Sequence, residues 1–156
     1  MEMMLLWLFF IIGIVLFIRS WIKHPFQEWL LCYLLAAQVA MLLGQLVVHY
    51  QLLDYPVKLF PQFESSILYE YLLLPMIIVH YYYQTSSRSS IFRMVWIALA
   101  SSGILTIFEV ILEKNTNLVA YMQWHWYYSL ISIFLFLIII RFLMKQIVKL
   151  DHKKDS

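Results

Sequence analysis

The chain has 156 residues, of which 63% are hydrophobic, 18% aromatic and 13% charged, with a mean hydropathy of +0.79. A soluble domain usually holds about 45–50% apolar and about 25% charged residues, so this balance excludes an ordinary soluble domain, a disordered chain and a nucleic-acid binder. The single Cys32 excludes a disulfide scaffold, a CxxC redox centre and a cysteine-rich zinc site, and the net charge of +2 means little until it is placed along the chain.

A membrane-crossing helix needs about 20 apolar residues to span about 30 Å of hydrocarbon. Five segments meet that requirement: 3–22, 29–50, 66–83, 91–112 and 121–144. The expected fold is therefore all-α, a multi-pass helix bundle of the cell membrane forming one integral domain over 1–156. The first segment has no basic residues ahead of it and no small-x-small cleavage site, and its positive charge follows the apolar run. It reads as a retained anchor rather than a signal peptide. Only the stretch 51–65, with Pro56 and Pro61, is long enough to be a substantial loop. It reads either as a plain connection or as a cap over the membrane end of the bundle. In the third segment Pro75 cannot donate to the carbonyl of Tyr71 and should bend the helix there. The basic tail 145–156 reads as a solvated end that sets topology.

Charge placement gives an orientation. Arg19 and Lys23 follow the first segment, Arg88 and Arg93 follow the third, and Arg141, Lys145, Lys149, Lys153 and Lys154 lie beyond the middle of the fifth. Lys58 and Lys114 alone fall on the other side, beside Glu2, Asp54, Glu64 and Glu113. The positive-inside rule then predicts an outside N-terminus and an inside C-terminus.

Polar residues within the apolar runs carry the functional information, because a charge near mid-bilayer normally faces protein or water. Helical spacing groups Gln38, Gln45 and His49 on the second segment, and Ser66 and Glu70, with His80 and Gln84, on the third. It groups Ser102, Thr106, Glu109 and Glu113 on the fourth and His125, Ser129 and Ser132 on the fifth. The first segment has no such stripe and is expected at the periphery. The simplest arrangement turns the four stripes inward and gathers Glu70, Glu109, His49 and His125 in the outer half. Asp54 and Glu113 lie at the same level.

Three readings are open for this cluster. It binds protons or a divalent metal, since carboxylate with imidazole suits zinc, manganese or iron. It takes a small ligand or lipid. Or it holds helices together through hydrogen bonds. No GxSxG elbow, HExxH helix, Gly-rich phosphate loop or DxxD pair is present, so a membrane-embedded hydrolase would rest on residue types alone. The expected function is an accessory or interaction protein of the membrane with a polar, acid-containing cluster. The alternative is a proton- or cation-binding transport component using Glu70 and Glu109. The expected partners are the lipid bilayer and a membrane protein or a second copy of the chain.

VVHYQLLDYPVKLF (47–60), YEYLLLP (69–75) and IFEVILEKNTNLVAYMQWHWYY (107–128) together resemble a family of small multi-pass membrane proteins from spore-forming Gram-positive bacteria, named after a clostridial locus tag. The resemblance covers about residues 40–145 and brings no activity, substrate or cofactor with it. It implies importance for Asp54, Tyr55, Pro56, Glu70, Glu109, Glu113, Asn117, Trp124 and Trp126, and a link to sporulation or germination membranes. The chain departs from the family pattern at His49, where an acid is usual, and at Gln123 and His125, which replace a His and an Asn. Those departures count against a fixed histidine–metal site and leave the glutamates as the stronger candidates.

Overall fold

The computed structural model describes residues 1–63, 65–86 and 90–154, so Glu64 and Arg88 lie outside the described residues. The described chain is all-α apart from one short ladder. Helix α1 (Glu2–Lys23) and α2 (Phe26–His49) are followed by strand β1 (Leu53–Asp54). A π-helical segment (Leu68–Leu73) then runs directly into α3 (Leu74–Ser86), and α4 (Ile91–Asn115), β2 (Ala120–Tyr121) and α5 (Trp126–Lys154) complete the chain. Helices α1, α2, α4 and α5 are long and apolar enough to cross a bilayer, which marks a membrane protein by length and composition.

The fifth expected segment, 66–83, corresponds to the π-helical segment and α3, and it forms the axis of the bundle. All four other helices touch α3, and Ile78, Val79, Tyr81 and Tyr82 are almost wholly buried. Helix α1 lies at the periphery, burying only Leu6 and Gly13. Gly13 receives Leu72 of the π-helical segment, since a Cβ built there would lie 2.3 Å from Leu72 Cδ2.

Pro75 explains the π-helical segment. Its missing N–H and bulky ring deny Tyr71 the usual i→i+4 partner, and the ladder widens, with Leu74 N–H reaching back five residues to the carbonyl of Tyr69. The expected bend is thus realised as a widened turn. The freed Tyr71 carbonyl accepts a hydrogen bond from the Tyr33 hydroxyl of α2. Tyr33→Phe should lower stability by about 1 kcal/mol, the usual net worth of one such interhelical bond, as measured by reversible unfolding in detergent.

The face that α2 turns to α3 is a run of small residues at four-residue spacing. Cys32, Ala36 and Ala40 are buried, and Gly44 continues the row. Small side chains let backbones approach closely where burial from water drives nothing. The expected polar stripe of α2 therefore points the other way: Gln38, Gln45 and His49 are exposed. On α4 the expectation and the structure agree, with Ser102 and Thr106 buried and Glu109 half-buried on the inner face.

Two loops close the end of the bundle that carries the ladder. Helix α2 ends in a Schellman turn: Gln51, at φ 54°, bonds back to the Val48 carbonyl and Leu52 to that of Val47. This aims β1 at β2, where Leu53 pairs with Tyr121 and Asp54 with Ala120 in antiparallel register. The Leu52 carbonyl accepts from the N–H groups of Met122 and Gln123. Because 120–121 is held in this ladder, α5 starts at Trp126 rather than 121. At its far end α5 remains helical to Lys154, so most of the expected 145–156 tail continues the helix. Glu2 of α1 ties in as well, accepting from the backbone and side-chain N–H groups of Asn117 at 2.8 and 2.9 Å.

Candidate functional site

Beneath the ladder, α2, the π-helical segment, α4 and α5 enclose a cleft of about 200 Å³. Glu70 and Glu109 both line it, together with Tyr55, Tyr69 and Trp124. The 51–65 loop is thus a cap: Leu53 is buried and Tyr55 reaches down beside the two acids. Burial, followed by the charges of Tyr69, Glu109 and Glu70, holds the Tyr55 phenol well above its ordinary range, so it remains a neutral donor.

The two carboxyl groups are held differently. Glu109 is fastened. Its Oε1 accepts from the Tyr121 hydroxyl at 2.8 Å and from the Ser129 hydroxyl at 2.6 Å, and Ser129 in turn accepts from the Trp124 indole N–H at 2.7 Å. One carboxylate oxygen therefore joins α4, β2 and α5. Tyr121 is also held protonated, by burial first and then by the Glu109 charge.

Glu70 is 2% exposed. Its Oε2 accepts from the Ser65 hydroxyl at 2.7 Å, while Oε1 has no hydrogen-bond partner among the described residues. That free oxygen rests against the backbone of Gly44, where a Cβ would stand 1.7 Å from it. The hydroxyl of Tyr69, the preceding residue, is likewise buried without a partner among the described residues. Buried polar groups are nearly always satisfied, so two orphans on residues that line one cleft are the unusual feature of this site.

The other expected members stand apart. His49 is exposed at the end of α2, in a groove with Gln45 and Gln62. His125 precedes α5 and stacks on Tyr127, with ring centroids 5.3 Å apart. The two imidazoles face outward because the α2 stripe is turned away and because the ladder delays the start of α5. Asp54 is exposed, and its Oδ1 accepts from the Tyr55 N–H at 2.8 Å, which shapes the loop. Glu113 is half-buried near Tyr121, whose phenol its charge helps to raise. Among the described residues, no three His, Cys, Asp or Glu side chains are grouped as metal ligands, so the divalent-metal reading loses its histidines and its third ligand. Sequence reasoning missed Gly44, Ser65 and Tyr69. The small-residue spacing Cys32–Ala36–Ala40–Gly44 was the signal that would have turned α2 the right way.

A second polar group lies at the opposite end of the bundle. Arg141 of α5 is 8% exposed and donates from Nε to the Thr85 hydroxyl and from Nη2 to the Thr85 carbonyl, both at 2.8 Å. Tyr82 donates to Glu28, and the His24 ring stacks on Tyr83 at a centroid distance of 3.7 Å. Burial, and then the Lys23 charge, lowers the His24 imidazole below its ordinary value. His80 is exposed and pairs with Gln84.

Comparison with known proteins finds no match to any family model, curated protein or solved structure.

Proposed function

We propose that the chain is a five-span protein of the cell membrane, with its N-terminus outside, that binds a proton or cation at Glu70 in the outer half of its bundle. The six-residue π-helical segment and thirteen-residue α3 supply the fifth span. At about 1.5 Å per residue they approach the thickness of the hydrocarbon core. The bias of Lys and Arg supports the orientation, with Arg19, Lys23, Arg93, Lys145 and Lys149 towards one end and Lys58 and Lys114 towards the other. One observation carries the binding role: a carboxylate oxygen is buried beside an open cleft with no partner among the described residues. An intramembrane acid in that state is a binding or relay group by default. The likeness to the clostridial family supports the same residues and adds no chemistry.

A second reading, an accessory protein whose cluster only fastens helices, is favoured by Glu109, whose bonds already join three elements. Paired substitutions separate the two. Glu70→Gln and Glu109→Gln each keep an oxygen that can accept the existing bonds, so both variants should fold with stability within about 1 kcal/mol of the parent. Infrared difference spectra across a pH titration should show a protonated-carboxyl stretch that Glu70→Gln removes and Glu109→Gln leaves in place. Spectra identical in parent and Glu70→Gln would leave the fastening role alone standing.

A further inference from the structure

We propose that the cleft binds the primary ammonium group of an amphiphile, either a short alkylamine or the amine headgroup of a lipid, entering between α2 and α5. This names the ligand of the Glu70 site and rests on the binding role given to Glu70.

Charge decides the class of ligand. Glu70 and Glu109 both line the cleft, and no Lys, Arg or His is among the described residues that line it. A ligand that satisfies the two acids must bring positive charge or protons. Hydrogen bonding narrows the choice. A primary ammonium has three donors and no acceptor, and the cleft offers the two buried orphans, Glu70 Oε1 and the Tyr69 hydroxyl oxygen. Tyr55, Tyr69 and Trp124 add aromatic faces, which attract a desolvated cation through the ring quadrupole.

The walls argue against a hydrated inorganic ion. Apart from the polar groups named, they are apolar, with Ala40, Val47 and Phe136 among them. Such a lining accepts methylene groups and rejects a hydration shell. Size agrees, since a cavity of about 150 Å³ takes a molecule as large as benzene and this cleft measures about 200 Å³. A longer chain has an exit. Leu43 of α2 and Ser132 of α5 both line the cleft and are both exposed, so its mouth lies on the side of the bundle, at the level of the bilayer. Gly44, which also lines the cleft, leaves room for Glu70 Oε1 against the α2 backbone.

The test uses the purified full chain in a neutral maltoside detergent, titrated calorimetrically with hexylammonium and, separately, with 1-hexanol. Saturable one-to-one binding of hexylammonium is expected, with hexanol weaker by at least about tenfold, the worth of one charge-assisted bond. Glu70→Gln should abolish it. Tyr69→Phe removes a hydroxyl with no partner among the described residues, so the variant should fold normally while binding weakens severalfold. A second arm moves the protein into nanodiscs of phosphatidylglycerol with or without phosphatidylethanolamine. Loss of hexylammonium binding only when phosphatidylethanolamine is present assigns the lipid headgroup as the source. Equal binding in both assigns a soluble amine. Hexanol binding as tightly as hexylammonium, or undiminished binding in folded Glu70→Gln and Tyr69→Phe, overturns the proposal. Absence of saturable binding while the Glu70 carboxyl stretch still titrates overturns the ammonium ligand and leaves the proton-binding role. If that stretch is absent as well, both fall.

Discussion

Gly44→Ala should destabilise the protein by about 2–4 kcal/mol, the sum of overpacking and a lost bond to a carboxylate less the higher helix propensity of alanine. The added methyl would lie 1.7 Å from Glu70 Oε1 and 2.5 Å from its Cδ. Something must move, and there is little freedom. Glu70 is buried, and its other oxygen is held by Ser65 at 2.7 Å. Swinging the carboxyl away breaks that bond, whereas shifting α2 opens the small-residue seam it shares with α3. Gly103→Ala is the control. A Cβ there meets nothing within 4 Å, so the same exchange should be neutral or stabilising by up to about 1 kcal/mol. The double variant Gly44→Ala/Glu70→Ala removes the obstruction and should recover part of the loss, giving a coupling energy of more than about 1 kcal/mol in a thermodynamic cycle. Equal stability of Gly44→Ala and the parent would mean that the carboxylate does not rest on Gly44 at all.

This pair also shows where the sequence was legible. Hydropathy locates the apolar helices because the bilayer imposes length and composition on each one separately. The inner face of α4 was legible for a similar reason, since Ser102, Thr106 and Glu109 share one stripe and the apolar run offers no second polar stripe against them. Helix α2 misled because it has two stripes. Its polar one, Gln38–Gln45–His49, faces outward, and its small one, Cys32–Ala36–Ala40–Gly44, makes the contact. Between helices in lipid, close backbone approach outweighs the polarity of a few amides. Both histidines left the cluster as a consequence, His49 with its stripe and His125 with the late start of α5. The ladder that delays α5 joins two loops far apart in sequence through only two residues from each. Helix packing brings these loops together, and no local pattern announces it. Pro75 lay between these cases: the disturbance was readable, but its form, a π-helical segment anchored by Tyr33, depends on a neighbouring helix.

Arg141→Met should cost about 2–3 kcal/mol, two charge-assisted hydrogen bonds offset in part by no longer burying a charge. Charge counting alone groups Arg141 with the other cations beyond the middle of the fifth segment. The structure places its guanidinium inside, 8% exposed, against the last turn of α3. The position is electrostatically apt, because backbone carbonyls accumulate negative potential at a helix C-terminus. Planarity matters too, since Nε takes the Thr85 hydroxyl while Nη2 takes the carbonyl of the same residue. Lysine cannot reproduce that fork, so Arg141→Lys should recover less than half of the loss in denaturant or thermal unfolding. Thr85 also donates to the Tyr81 carbonyl at 2.9 Å, so Thr85→Val and Arg141→Met should be strongly non-additive. Arg141→Met and Gly44→Ala should add instead. Arg141 lies twelve residues beyond Ser129 on α5, which at about 1.5 Å per residue puts it well past the distance over which substitutions couple. Additivity would mean that the α3–α5 clamp at one end and the acid cleft at the other are separately built. A coupling above about 1 kcal/mol would mean that α3 transmits strain between them, and ligand binding at Glu70 would then be felt at the opposite face of the membrane.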